Sequence, residues 1–367
     1  MKRKNLMGMT LDDLREFVAG LGEPPFRGKQ LYDWLYTKRT RSFGEMTSLS
    51  KSFRAKLAEA AVIDEITLVE RQTSRTDGAT KLLFELADGK RIESVLIPWK
   101  TGFDDARGAK AADRLTLCIS TQVGCPLDCA FCATATMGFA RNLTSAEIVQ
   151  QLIQAERIAG RPITNLVYMG MGEPLMNYEN VIRSIEIIST AMGIATRRIT
   201  ISTAGWADRI KQLADDGCKA KLAISLHSLN DSVRTKLMPI TKKFPVAELI
   251  GAVQHHYRKA KRRVTYEYIL FDGLNDTDED LRHLTKLSRI VPCKINIVPF
   301  HSIGFTHSTG FSASLRPTPP AKAEAFVEKL RKAHITVFVR SSAGEDIDAA
   351  CGQLAVAHSK EVDAVYA

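Results

Sequence analysis

The run Cys125-Pro-Leu-Asp-Cys129-Ala-Phe-Cys132 sets three thiols on one short stretch of chain. A [4Fe–4S] cube held by three thiolates keeps one iron open to a small molecule, so this spacing suits catalysis better than electron storage. Tetrahedral zinc instead wants four filled positions, usually as two ligand pairs. A structural zinc would need a distant fourth ligand, for which Cys118 or His227 is available. Taken alone, Cys118 lies in an apolar run and reads as core packing. Cys351 sits in a polar, glycine-flanked segment after the last β-rich run, where packing and reactivity are equally open. Cys218 and Cys293 are simplest as packing residues. An odd total of seven cysteines in a long chain argues against a disulfide framework and for reduced thiols.

The elements that must position these groups follow from periodicity. Helical spacing of Leu11, Leu14, Phe17 and Val18, then Leu31, Trp34 and Leu35, then Phe53 and Leu57 predicts a helical domain over 1–62, broken at Gly22-Glu23-Pro24-Pro25. Arg27, Lys29, Lys38, Arg39 and Arg41 cluster there, as either a solvated face or an RNA contact. A β connector is expected over 63–111, with a hairpin turning at Asp88-Gly89 and a loop from Thr101 to Asp113. Glu93, on the second hairpin strand, reads by itself as an exposed carboxylate.

From 112 to 342, six β-rich runs alternate with helical ones: 115–120, 165–169, 198–203, 219–225, 263–270 and 294–299. That alternation predicts an α/β fold with a parallel sheet wound in one hand, and a capping box at Thr144 and Glu147 opens one of the helices. Active groups then gather at carboxyl ends of strands. Cys125, Glu173, Ser202, His227 and Asn296 all fall at or just beyond such ends, which predicts one shared pocket. The Ser, Thr, Gly and Pro content of Phe305 to Pro320 predicts a flexible loop, followed by a last helix, a last strand (335–340) and a C-terminal segment, 343–367.

Lys and Arg total 51 against 41 Asp and Glu, a formal net charge of +10, which favours a polyanionic partner without saying which. No window is long and apolar enough for a membrane span, and Met1-Lys-Arg-Lys-Asn5 is not followed by a signal core, so a cytoplasmic protein is expected.

The cysteine triplet, with Phe131 before its third member, resembles the signature of the radical S-adenosylmethionine superfamily. The resemblance narrows through Tyr168-Met-Gly-Met-Gly-Glu-Pro174, Ser202-Thr-Ala-Gly205, Ser225-Leu-His-Ser228, Lys294-Ile-Asn-Ile-Val-Pro299 and Asp346-Ile-Asp-Ala-Ala-Cys-Gly-Gln-Leu354. These look like the RlmN/Cfr family of bacterial RNA adenine methyltransferases, over most of the chain. The resemblance implies a partial (β/α)6 TIM-like barrel with an N-terminal helical accessory domain and a small β connector. It implies a [4Fe–4S] cluster on Cys125, Cys129 and Cys132, and S-adenosylmethionine held by Gly172, Glu173, Ser202, Ser225, Leu226, His227 and Asn296.

Within that family Cys351 corresponds to the thiol that carries a methyl group, Cys118 to the thiol that later attacks it to form a transient disulfide, and Glu93 to the proton acceptor. The implied substrates are an adenosine of 23S ribosomal RNA in the peptidyl-transferase region and the adenosine 3′ to the anticodon of some tRNA, methylated at C2. A small electron-donor protein such as a flavodoxin is the implied partner, and a monomer is expected. His301-Ser302 departs from the Asn-Pro often found there in related sequences, and leaves the next loop open. Methylation at C8 by the Cfr-type relatives is the neighbouring alternative; a zinc-stabilised RNA-binding module and an iron–sulfur electron carrier are the non-methylating ones.

Overall fold

The computed structural model describes residues 3–98, 114–303, 310–340 and 342–355. The expected loop at Thr101 to Asp113 lies outside the described residues. One ten-stranded sheet runs in strict chain order. Its strands are β1 (Thr67–Thr73), β2 (Thr80–Glu85), β3 (Arg91–Pro98), β4 (Leu115–Ile119), β5 (Asn165–Tyr168), β6 (Ile199–Thr203), β7 (Lys221–Ser225), β8 (Val264–Ile269), β9 (Cys293–Val298) and β10 (Val337–Val339). From β4 to β10 every neighbouring pair is parallel. Such strands are covered on both faces, which is why β4 and β8 are buried along their whole length. All six expected barrel strands form, and β10 adds a seventh parallel one.

The β connector is part of the same sheet. β1 to β3 form an antiparallel meander, and β3 pairs antiparallel with β4, setting Val95 opposite Cys118. The turn between β2 and β3 places Gly89 at φ +75°, with the Gly89 N–H donating to the Leu86 carbonyl at 2.9 Å.

The helix Ser145–Ala159 begins at Thr144, whose hydroxyl accepts from the Glu147 N–H while the Glu147 carboxylate accepts from the Thr144 N–H. It ends at Gly160 in the left-handed region. The N-terminal helices Leu11–Gly20, Phe26–Tyr32 and Lys51–Ala60 bury Leu14, Val18, Leu31, Phe53 and Leu57. They seat directly on the barrel helices: the Gly8 carbonyl accepts from Ser145 Oγ at 2.8 Å, and Tyr32 Oη lies 2.6 Å from Thr190 Oγ1. Part of the expected basic face is used internally. Arg39 pairs with the buried Glu156 at 2.5 Å, Arg41 with Glu65 at 3.4 Å, and Lys38 stacks over Trp34.

The expected flexible loop after Phe305 is folded in its described part. Gly310–Ser314 is a helical turn, Ser312 Oγ donates to the Ala130 carbonyl, and Leu315 is buried. Among the described residues no helix is long and apolar enough to cross a membrane.

Candidate active site

Beyond the ends of β4 to β9 opens a cleft lined by Cys125, Cys129, Cys132, Glu173, His227 and Cys351 among others. The three-cysteine loop owes its course to backbone geometry. Gly124 lies at φ +73°, and a Cβ there would fall 1.8 Å from the Gly138 carbonyl oxygen. That same carbonyl accepts from the Cys125 N–H at 2.8 Å, and the Cys129 carbonyl accepts from the Cys132 N–H at 3.1 Å. Burial pushes the Cys125 thiol up to about 12 and raises those of Cys129 and Cys132 too. Metal binding would displace those protons.

Among the described residues no three His, Cys, Asp or Glu side chains close on a point that could hold a single metal ion. The three thiols instead border one shared cavity, and soft sulfur donors with room between them fit an iron–sulfur cube.

Gly172, Glu173, Ser202, Ser225 and His227 line the same cleft as the thiols, as a shelf built from strand ends. Gly172 lies at φ +96°, and a Cβ there would collide with Gln122 at 2.5 Å, so the tight approach is to Gln122. Gln122 Oε1 in turn accepts from the Glu173 N–H at 2.8 Å. The Glu173 carboxylate accepts from the Ala204 N–H at 2.7 Å and the Leu175 N–H at 3.0 Å, and burial pushes it up to about 6. Held this way, it can still accept from a cationic amine in the cleft.

His227 is buried at φ +55°, and its Nδ1 accepts from the Ile269 N–H at 3.0 Å. The ring proton is therefore on Nε2, and burial pushes the imidazolium down to about 3, so the ring is neutral. Its edge meets Phe131, with ring centroids 4.6 Å apart. Leu226 offers backbone only: its N–H donates to the Glu267 carbonyl at 3.0 Å, and its side chain is in the core. Asn296 does not line the cleft but donates from Nδ2 to Glu267 Oε1 at 2.9 Å.

Cys351 lines the cleft on a segment that spans the two edges of the sheet. Upstream, the Gly344 N–H donates to Asp77 Oδ2 at 2.7 Å, and Asp346 accepts from the Arg75 N–H at 3.1 Å and Thr76 Oγ1 at 3.3 Å, all in the β1–β2 turn. The departure residue His301 pairs with Glu345 at 3.1 Å on the same segment. Downstream, the Gly352 carbonyl accepts from the Ala133 N–H at 2.6 Å, and the Leu354 carbonyl from Thr134 Oγ1 at 2.5 Å.

Cys118 is buried in β4, and burial, then the nearby Cys351, pushes its thiol up to about 12. All seven cysteines are free thiols, so the structure contains no Cys118–Cys351 disulfide. Glu93 is not an exposed carboxylate: it is buried, with Lys81 Nζ 3.5 Å away and Oε2 without a hydrogen-bond partner among the described residues. Burial pushes it up to about 7 against the opposing pull of Lys81.

Three residues here had no motif to announce them. Arg340, at the end of β10, lines the cleft, and Cys351 and Cys118 are among the charges that raise its pKa; it reaches Glu267 Oε2 at 3.6 Å. Lys81 faces Glu93. The one available signal was a charge inside an apolar strand, as with Glu267 in Val264-Thr-Tyr-Glu-Tyr-Ile269.

Residues 4–63 match the model of the ribosomal RNA large subunit methyltransferase N-terminal domain, and residues 119–285 match that of the radical SAM superfamily. The chain is 42% identical to a probable dual-specificity RNA methyltransferase RlmN of Flavobacterium psychrophilum, with 97% of this chain and 98% of the relative aligned. A Thermotoga maritima protein of the same name is also 42% identical, over 96% of this chain and 97% of its own. A radical SAM methyltransferase of known crystal structure from Sphaerobacter thermophilus superposes with a TM-score of 0.83 at 38% identity, covering 96% of this chain and 99% of that one.

Proposed function

Since the chain belongs to the RlmN family of radical S-adenosylmethionine RNA methyltransferases, we propose that it methylates C2 of adenosine in both 23S ribosomal RNA and tRNA, with Cys351 as methyl carrier. The observation that carries this reading is that one cleft joins the three-cysteine loop to Cys351, with Cys118 close enough behind it to be affected by the Cys351 charge. Adenine C2 is electron-poor and has no nucleophilic lone pair, so displacement at a sulfonium methyl would face a prohibitive barrier, whereas a carbon radical can add there.

In this reading Cys125, Cys129 and Cys132 hold the cluster and the shelf from Gly172 to His227 holds S-adenosylmethionine, while Asn296 and the Leu226 N–H act on the site through Glu267, which lines the cleft. When bound, the cluster supplies the electron that cleaves S-adenosylmethionine to methionine and a 5′-deoxyadenosyl radical. The Cys351 thiolate takes a methyl group from a first S-adenosylmethionine and presents it for hydrogen abstraction; the resulting methylene radical bonds to C2. Glu93, whose burial pushes its carboxyl up to about 7, accepts the C2 proton. After loss of that proton, and of one electron that the bound cluster would take back, the Cys118 thiolate attacks the Cys351 sulfur and breaks its bond to the methylene carbon, which takes up a proton to become the methyl group; methylated RNA is freed and a disulfide is left for external reduction.

Gly172-Glu173-Pro174 favours C2 over C8, where the Cfr-type relatives often place Ala after the Glu. A cytoplasmic monomer reduced by a flavodoxin-like donor completes the reading. The target base must leave its stack to reach the cleft, which costs least in a loop.

The test is anaerobic reconstitution with iron and sulfide, followed by turnover of both RNAs. Expected are 5′-deoxyadenosine and a methyl group located at C2 by mass spectrometry and NMR. A methyl at C8, or a colourless zinc protein giving no 5′-deoxyadenosine, would replace this reading.

A further inference from the structure

Arg234 heads the fully buried side chains by volume, and no motif singles it out. It sits on the helix Asp231–Leu237. Its Nε donates to the Leu226 carbonyl at 3.0 Å, Nη1 to Thr241 Oγ1 at 2.7 Å, and Nη2 to the Ala204 carbonyl at 2.6 Å and the Ser225 carbonyl at 3.1 Å. Every one of these acceptors is neutral. Asp231, on the same helix, is exposed, with Oδ1 accepting from the Val246 N–H at 2.8 Å. Burying a cation among neutral dipoles is costly unless an anion lies close by.

The surroundings indicate where that anion belongs. The helix ends at Leu237, whose carbonyl accepts from the Ala130 N–H at 2.9 Å, inside the three-cysteine loop, and the Cys129 sulfur is the strongest negative influence on the Arg234 charge. Gly205, in the Ser202-Thr-Ala-Gly205 motif, lies at φ +110°, and a Cβ there would come within 3.1 Å of Arg234 Nη2. The three carbonyls held by the guanidinium follow Ser202 or belong to Ser225 and Leu226, the residues of the shelf.

We propose that Arg234 is the fixed counter-cation of the cysteine-held cluster and, through the strand-end carbonyls it grips, the positioning residue of the S-adenosylmethionine shelf. The proposal rests on the reading that Cys125, Cys129 and Cys132 hold the cluster. A cube with three thiolate ligands carries net negative charge, and reduction adds another. A guanidinium behind Cys129 therefore favours the reduced form and raises the midpoint potential. The same group closes a bridge from cluster loop to helix to shelf, so the two halves of the cleft keep their spacing.

The experiment compares reconstituted wild type, Arg234→Gln and Arg234→Lys. Iron and sulfide content come first, then an EPR-monitored redox titration, then the affinity for S-adenosylmethionine read from its perturbation of the cluster signal. The Gln variant is expected to show a midpoint shifted to more negative potential and a smaller gain in thermal stability on cluster loading. The Lys variant, which keeps the charge but loses the fork, is expected to hold a near-wild-type midpoint and bind S-adenosylmethionine severalfold more weakly. An unchanged midpoint in a folded, fully loaded Gln variant overturns the proposal. Should the Gln variant not fold, unchanged S-adenosylmethionine affinity in the Lys variant overturns it. A wild type that takes up neither iron nor sulfide overturns the ligand assignment instead, whatever Arg234 does.

Discussion

The loop bearing Cys125, Cys129 and Cys132 and the segment bearing Cys351 meet in one cleft but are held there differently. The loop is fixed by backbone: a glycine at φ +73° under a carbonyl, a short chain of main-chain bonds, and the Leu237 carbonyl accepting from the Ala130 N–H. The Cys351 segment is short, has its cysteine exposed, and is pinned at its two ends by hydrogen bonds to the β1–β2 turn and to the residues after Cys132. A loop proposed to hold a cluster has one geometry to keep. A proposed carrier thiol must serve a methyl donor, a base and a second thiol in turn, so tethered ends with an accessible middle suit it.

Breaking the middle of that segment should have the largest effect. Cys351→Ala is expected to abolish RNA methylation while leaving 5′-deoxyadenosine formation from the shelf-bound cofactor detectable; normal methyl transfer would remove the carrier role. Cys118→Ala is expected to stop the cycle one bond later, as a covalent protein–RNA adduct seen as a band of retarded mobility. Free methylated RNA at the normal rate would take the resolving role from Cys118.

Glu93 gives an effect that depends on pH. With a folded-state value near 7, it is protonated below that and a base above it, so the step it serves should accelerate as pH rises through about 7. Glu93→Gln should lose that limb together with most of the turnover. Stability has the opposite sign. A carboxyl raised above its unfolded value costs the fold increasingly as pH climbs from the unfolded value to the folded one, and the cost is complete above about 7. Glu93→Gln should therefore stabilise the protein at pH 8 by on the order of 2 kcal/mol, measured by urea unfolding, with little change in acid. A variant less stable at pH 8 would mean that the Lys81 pairing outweighs the burial.

How far the sequence foretold each region follows from what kind of bond holds it. The three-cysteine spacing, the Thr144–Glu147 cap and the Asp88-Gly89 turn are local patterns, and the structure forms all three. The barrel strands were legible as apolar runs between turns. Their continuation into β3, β2 and β1 was not, because alternation within a strand says nothing of which sheet edge it joins, and the β3–β4 partners are separated by a long connection. Glu93 shows the same limit: it is covered by Lys81 across the hairpin and by Ser120 and Met171 from elements far along the chain, none of which its own strand reveals. Arg340 and Arg234 each take their partners from several elements, so no window of sequence contained them. The helical turn at Gly310–Ser314 escaped because its serine bonds to the Ala130 carbonyl, a tertiary contact that composition cannot show.

The smallest expected effect comes from the tether. Asp346 accepts from the Arg75 N–H and Thr76 Oγ1, and the Ser74 hydroxyl does most to hold its carboxyl below the usual range. A depressed carboxylate keeps its contacts above its unfolded value and loses them only as pH falls through the folded one, so this tether should persist across the neutral range. Asp346→Asn weakens the acceptors but keeps the shape, and Asp346→Ala removes them. Because the carbonyls of Gly352 and Leu354 still anchor the other end, the segment should loosen without leaving the cleft. The expected result is a few-fold fall in methylation rate for Ala, less for Asn, with thermal stability nearly unchanged and faster alkylation of Cys351 by iodoacetamide. If alkylation were as slow as in the wild type while methylation fell, the turn would be acting on RNA and not on the thiol, and the contrast between a fixed loop and a tethered segment would need another basis.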